Sequence, residues 1–252
     1  MIGAAARRWA ELQSGRGIPP EIVAAAPANP WTHEPGDFAA PDVAADTPSR
    51  DAATELLGAG GEVLDVGCGG GAAVFALDRI TAVTGVDRQR DMLDLFADAA
   101  TARGVAYRTV LGGWPEVADA AGPADVVVCH HVLHNVVDLP PFLVALTVAA
   151  RRGVVVEMFA EHPLAWLDPL WLRFHDLPRP PSATVDVAAA VLGELGVRPD
   201  VVRWERATPA RQDAAWVTRR LCLPQERTED VRAALAALPP RPRTVATLSW
   251  RP

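Results

Sequence analysis

The chain has 252 residues, half of them apolar, with a mean hydropathy of +0.10, which suffices for one α/β domain with additions. Its formal net charge of −7 argues against a nucleic-acid partner, which needs a basic face to meet phosphates. All 24 basic residues are arginine, so Schiff-base catalysis, the Tyr–Lys pair of short-chain dehydrogenases and the lysine of phosphate-binding loops are excluded. Cys68, Cys129 and Cys222 are too few and too dispersed for a disulfide framework or a zinc site, and no metal is expected. No charged-then-apolar leader opens the sequence, and its longest apolar run, residues 142–150, is far short of a membrane span. The expectation is a cytoplasmic protein with no membrane partner.

In chain order, residues 1–50 read as a preface or lid. A helix fits Ala4–Gln13, a stop follows at Ser14–Gly17, and a second helix fits Pro20–Ala26. Proline and small residues make 27–48 irregular, and Ser49 is placed to cap a helix running to Leu57. A strand around Val63–Val66, a helix-forming run Ala72–Leu77 and a second strand Ala82–Val86 come next. Strands are expected at Ala124–Cys129 and Arg152–Glu157, then an irregular, proline-rich stretch from Met158 to Thr184. A helix Val185–Leu195 ends at Gly196, a sixth strand fits Val197–Trp204, two helices divided by Pro224 fit 211–238, and a last strand fits Arg243–Trp250.

The stretch Val63 to Leu77, VLDVGCGGGAAVFAL, is the most informative. A strand carries Asp65 near its end, and Gly67, Gly69 and Gly71 follow at alternate positions. Glycines permit a sharp turn and let a ligand lie on the backbone. Asp87, at the end of the second strand, is placed to accept two hydrogen bonds from a ribose diol. The run from Gly67 to Ala72 fits G-x-G-x-x-A, which admits a dinucleotide, and also D-x-G-x-G-x-G. Asp65 separates the two: it would repel a pyrophosphate over the turn but favour an ammonium and a sulfonium.

These residues resemble the first motif of class I S-adenosylmethionine-dependent methyltransferases, of the branch that acts mostly on small molecules. Later segments resemble the family in the same order: Val83–Asp87 with Met92-Leu93, Ala124–Cys129, the His131–Leu139 stretch, which resembles an LHH-x-x-D helix start, and Arg152–Glu157. The resemblance covers roughly residues 50 to 160. It implies a Rossmann-like, seven-stranded, mostly parallel sheet with the last strand antiparallel. Residues 51–252 would form the methyltransferase domain, with a substrate cap inserted at about 158–184 and a helical insertion at about 207–240. It further implies S-adenosyl-L-methionine held by Asp65, Gly67, Cys68, Gly69, Gly71, Asp87, Arg88, Met92, Cys129 and His130, leaving S-adenosyl-L-homocysteine as product. Where many relatives read GDA after the third strand, this chain has Leu111-Gly112-Gly113-Trp114-Pro115, so Gly113 backbone groups and the Trp114 ring are expected to cover the adenine.

Methyl transfer from a sulfonium is an in-line displacement that needs a positioned nucleophile and, for a hydroxyl acceptor, a base. The candidates are His130 and His134 after the fourth strand, and Glu161 and His162 after the fifth. Trp31, His33, Trp166, Trp171 and Phe174, together with Phe38, are candidates for an aromatic lid over a small, partly apolar acceptor. The same cofactor half would serve a non-catalytic S-adenosylmethionine sensor or partner subunit; a nicotinamide oxidoreductase is disfavoured by Asp65 and the missing lysine.

Overall fold

The computed structural model describes residues 3–31, 40, 45–206, 213–239 and 243–252. Among these, the strands are β1 (Gly61–Val66), β2 (Ile80–Asp87), β3 (Ala106–Leu111), β4 (Ala124–His130), β5 (Ala150–Phe159), β6 (Asp200–Arg206) and β7 (Arg243–Trp250). The helices are α1 (Ala4–Ser14), α2 (Pro20–Ala24), α3 (Pro48–Leu57), α4 (Arg90–Ala102), α5 (Ala118–Ala121), α6 (Leu139–Ala149), α7 (Asp168–His175), α8 (Val185–Glu194), α9 (Ala214–Arg220) and α10 (Thr228–Ala236).

The strands form one sheet in the order β3-β2-β1-β4-β5-β7-β6. The first five are parallel, and β7 enters antiparallel between β5 and β6. Alternate residues face opposite layers, as the period of a strand demands. Leu64, Val127, Val154 and Val156 pack under α1, α6 and α8, whereas Val63, Val126, Val128 and Val155 pack under α3 and α4. Burial on both sides explains why β4 and β5 read as continuous apolar runs. The chain turns outward in opposite directions from the adjacent β1 and β4, which opens a crevice at their carboxyl ends.

Several local expectations change. Thr47, not Ser49, caps α3: its hydroxyl accepts the Arg50 N–H at 3.2 Å, with Pro48 in the first turn. Ser49 lies inside the helix, buried, with its Oγ 2.6 Å from Thr247 Oγ1. The run Ala72–Leu77 forms only a 3-10 turn, Val74–Ala76. Residues 67–79 must make the whole crossover from β1 to β2, and the glycines take up its first part, so no full helix fits. The strand β6 begins at Asp200 rather than Val197, whose N–H instead bonds Leu192 O and closes the end of α8.

The stretch Met158–Thr184 is not irregular throughout. β5 runs on to Phe159, and α7 forms with Pro169 in its first turn, where a missing N–H costs nothing. Asp176, in the left-handed region with φ 51°, ends it. Helix α1 is part of the helical layer: Trp9 is fully buried and donates to Val136 O at 2.7 Å, and Glu194 accepts the Ala5 and Ala6 N–H groups at 2.7 and 3.1 Å.

The remaining helices make a cap with its own apolar core. Leu167, Leu170 and Trp171 from the α7 region meet Val217, Leu221 and Leu223 from the α9 region and Val231 and Ala234 of α10. Ile22 of α2 packs against the same cluster.

Candidate active site

A cleft of about 2780 Å³ lies between the cap and the carboxyl ends of β1, β2, β4 and β5. Ligand pockets commonly span about 300–1,000 Å³, so there is room for a nucleoside-sized ligand and a second molecule beside it. Its floor is the glycine turn. Gly67, Gly69 and Gly71 all have positive φ, at 72°, 49° and 86°. A Cβ on Gly67 would meet Val132 Cγ2 at 2.3 Å, and one on Gly71 would meet the Phe75 ring at 2.2 Å. Both conformation and space therefore require glycine at these two positions.

Two carboxylates flank the turn. Asp87 accepts the Gly69 N–H through Oδ2 at 3.1 Å and the Gln89 N–H through Oδ1 at 3.0 Å. Each oxygen keeps a further acceptor site for a ligand diol. Asp65 is 1% exposed, and its Oδ2 has no hydrogen-bond partner. Burial pushes its carboxyl up to about 8; the Val74 N–H offsets part of this, and the Asp87 charge adds to it. A pyrophosphate over the turn would meet the Asp87 oxygens, which only accept, and would leave Asp65 without a cation to draw off its proton. A ligand with an ammonium and a ribose diol would satisfy both, so the residues fit S-adenosylmethionine.

The other expected cofactor residues divide between wall and core. Met92 and Trp114, each 5% exposed, line the cleft with Arg88, and Trp114 Nε1 donates to Phe142 O at 3.2 Å. Gly113 lies beneath Arg88, whose Nε would be 2.8 Å from a Cβ there, and Gly112 reaches the wall. Cys68 lines the cleft, but a Cβ on Gly85 would lie 3.0 Å from its Sγ, which packs in the core with Phe96; burial, then Asp65 and Asp87, push its thiol up. Cys129 is fully buried in the core and does not line the cleft.

His130 does line it, with Nε2 unpartnered and Nδ1 4.0 Å from Glu157 Oε2. Burial lowers its pKa to about 4 despite Glu157, so the imidazole is neutral at pH 7. With Nδ1–H turned toward Glu157, Nε2 carries a lone pair that is buried and has no hydrogen-bond partner. Burial alone would raise Glu157, but a hydrogen bond from His131 Nε2 at 2.9 Å and the neighbouring imidazoles hold it at about 2. His134 is turned away: its Nε2 is 3.1 Å from Phe159 O, its ring meets His162 edge-on at 5.6 Å, and burial lowers it to about 3. Exposed Glu161 and half-buried His162 line the mouth. His162 Nδ1 accepts the Leu164 N–H at 3.1 Å, which leaves the neutral ring's proton on Nε2; burial, then Arg16, lower it to about 4.

Residues 63–153 match the family model described as a methyltransferase domain. Over these residues the chain is similar to class I S-adenosylmethionine-dependent methyltransferases. It is 28% identical over 182 residues to the ubiquinone biosynthesis O-methyltransferase of Caulobacter vibrioides, covering 63% of this chain and 72% of that protein. The sheet is shared with a Bacillus halodurans C-125 protein at TM-score 0.55 and 15% identity, covering 77% of this chain and 94% of that one. The YcgJ protein of Bacillus subtilis gives TM-score 0.52 and 17% identity, with 76% and 90% covered. These two likenesses concern the fold alone.

On the side of the cleft away from the glycine turn, Trp166 and Trp171 line it from the cap, and Trp31, 49% exposed, lines it from the N-terminal segment. Trp171 stacks near His175 at 5.1 Å and lies under the Arg179 guanidinium at 5.4 Å. Phe174 does not line the cleft; it packs in the cap with the Arg173 and Arg227 guanidiniums 5.6 and 5.3 Å from its ring. His33 and Phe38 lie outside the described residues. Sequence reasoning missed Glu157, whose signal is a lone carboxylate on an apolar strand, and His131, Arg206 and Arg243, which carry no such signal. Among the described residues, no group of His, Cys, Asp and Glu could hold a metal ion, and no helix is long and apolar enough to cross a membrane.

Proposed function

We propose that this methyltransferase methylates a small molecule at a hydroxyl group, with His130 as the proton acceptor. The observation that carries the reading is the pairing of two half-sites in one cleft. One is the glycine turn with the orphaned Asp65 oxygen and Asp87; the other is the unpartnered His130 Nε2. Bound S-adenosylmethionine would supply an electrophilic methyl group on its sulfonium. Asp65 would hold its ammonium, Asp87 its ribose hydroxyls, and Met92 and Trp114 would enclose its adenine.

The chain's own residues do the rest. Neutral His130 takes the hydroxyl proton at Nε2, and Glu157 steadies the resulting imidazolium from the Nδ1 side. The cap, with Trp166 and Trp171, excludes water and aligns the acceptor. A small hydroxylated acceptor agrees with the Caulobacter relative, which is an O-methyltransferase. A non-catalytic binding protein would have no use for an unpartnered imidazole nitrogen on a residue that lines the cleft.

The test is S-adenosylhomocysteine formation across a panel of phenols and hydroxy acids, with His130→Gln beside the parent. The variant should lose about 10²–10⁴ in kcat, the usual worth of a positioned base, with unchanged S-adenosylhomocysteine affinity. Equal turnover by the variant would remove His130 from the chemistry.

A further inference from the structure

The acceptor end of the cleft carries a charge arrangement that the methyl-transfer reading leaves unused. Arg206 ends β6 and Arg243 begins β7, and the two stand directly opposite in the antiparallel ladder. Opposed residues place their Cβ atoms about 4.5–5.5 Å apart on one face, and like charges there destabilise the sheet. Both side chains line the cleft.

Neither guanidinium has a carboxylate within salt-bridge distance among the described residues. Arg243 lies over the Phe159 ring, 4.9 Å from its centroid. Arg206 Nη1 is 3.0 Å from His131 Nε2. That nitrogen also lies 2.9 Å from Glu157 Oε1, so when it donates there Arg206 faces a second donor and, among the described residues, has no side-chain acceptor of its own. Of the nearby acids, Glu157 is engaged with His131, and Glu205 with the Thr244 hydroxyl at 2.8 Å. Burial, then the Arg206 charge, weaken Arg243's hold on its proton, as expected for two crowded cations.

We propose that Arg206 and Arg243 form a clamp for a carboxylate on the methyl acceptor. The inference rests on the methyltransferase reading and narrows its substrate class to an anionic small molecule. Two planar guanidiniums match a carboxylate in bidentate geometry. Phe159 and His131, stacked at 4.7 Å beside the clamp, give the acceptor a flat wall, which suits an aryl carboxylate. A doubly charged phosphate would be held less well, because Glu157, Glu161 and Glu205 all lie around the same mouth.

The experiment is a calorimetric titration of benzoate, benzamide and inorganic phosphate into protein saturated with S-adenosylhomocysteine. The parent is compared with the Arg206→Gln/Arg243→Gln double variant and with single Arg→Lys variants. Benzoate should bind the parent more tightly than benzamide or phosphate does. The double variant should weaken benzoate at least tenfold and leave benzamide unchanged, and the lysine variants, which keep charge but lose the fork, should fall between. Without ligand and at low salt, the double variant should melt higher than the parent. Benzoate binding that is absent, matched by benzamide or unaffected by the double variant overturns the clamp, and tighter phosphate binding overturns the carboxylate assignment. S-adenosylhomocysteine affinity of each variant reports on its folding. Failure of the parent to bind S-adenosylhomocysteine would sink the methyltransferase reading alone, since the anion titrations can be run without it.

Discussion

Replacing Asp65 by asparagine should make the free protein more stable and the bound one weaker. Asp65 is 1% exposed with one oxygen unpartnered, and burial holds its pKa at about 8, far above its ordinary 3.8. Because the folded value is raised, the stability this group contributes is fully present below about pH 4. It declines as pH rises and is lost above about pH 8. At 1.36 kcal/mol per unit, the cost at pH 7 is on the order of 4 kcal/mol. Asparagine keeps the shape and an acceptor for the Val74 N–H but never ionises. Asp65→Asn should therefore gain up to about 4 kcal/mol at pH 7, nothing near pH 4, and slightly more at pH 8.5. The same variant loses the charge that would meet an ammonium, worth roughly 1.5–3 kcal/mol, or ten- to a hundredfold in affinity. Urea unfolding at the three pH values, with a calorimetric titration of S-adenosylhomocysteine, measures both. The parent should release a proton on binding at pH 7, seen as a dependence of the heat on buffer ionisation, and the variant should not. A variant that is destabilised equally at every pH would refute the reasoning, since Asp65 would then be a satisfied structural carboxylate.

Acid should act through the histidines with the opposite sign. His130, His134 and His162 are lowered to about 4, 3 and 4. The stability tied to their neutral forms is fully present above about pH 6.5. It falls as pH drops toward 4, by roughly 1.4 kcal/mol per unit for each ring. Urea midpoints against pH should show this decline, and His134→Gln should make it visibly shallower; an unchanged slope would contradict the burial argument. Trp166→Ala should cost about 2 kcal/mol, because the half-buried ring packs against the cap core, and should raise the acceptor KM. Its S-adenosylhomocysteine affinity should stay within twofold; a large loss there would move Trp166 into the cofactor site.

The sheet is readable from the chain because its strands are buried on both faces: β4 and β5 stand out as apolar runs, and β7 lies where alternation predicts it, at Arg243–Trp250. The cofactor floor is readable for a different reason. Gly67, Gly71, Asp65 and Asp87 are local in sequence, and each residue type answers a local demand of turn or charge. The α3 cap was misjudged because Thr47 and Ser49 are chemically alike, and only the position of Pro48 in the first turn and the distant partner Thr247 separate them. The cap was less legible still. Ile22, Trp171, Val217 and Val231 come from three separate stretches, and each stretch looks like a loop or a stray helix until the others bury it. Arg206 and Arg243 look like ordinary strand-end charges; only the β6–β7 register makes them neighbours.

The central claim is that the glycine turn with Asp65 and Asp87 holds S-adenosylmethionine. Its most direct test is a calorimetric titration of the parent and Asp87→Ala with S-adenosylmethionine, S-adenosylhomocysteine and NAD. The parent should bind both adenosyl compounds saturably and NAD not at all, and the variant should bind the adenosyl compounds at least tenfold more weakly. Binding of NAD alone, or adenosyl binding unaffected by the loss of Asp87, would contradict the central claim.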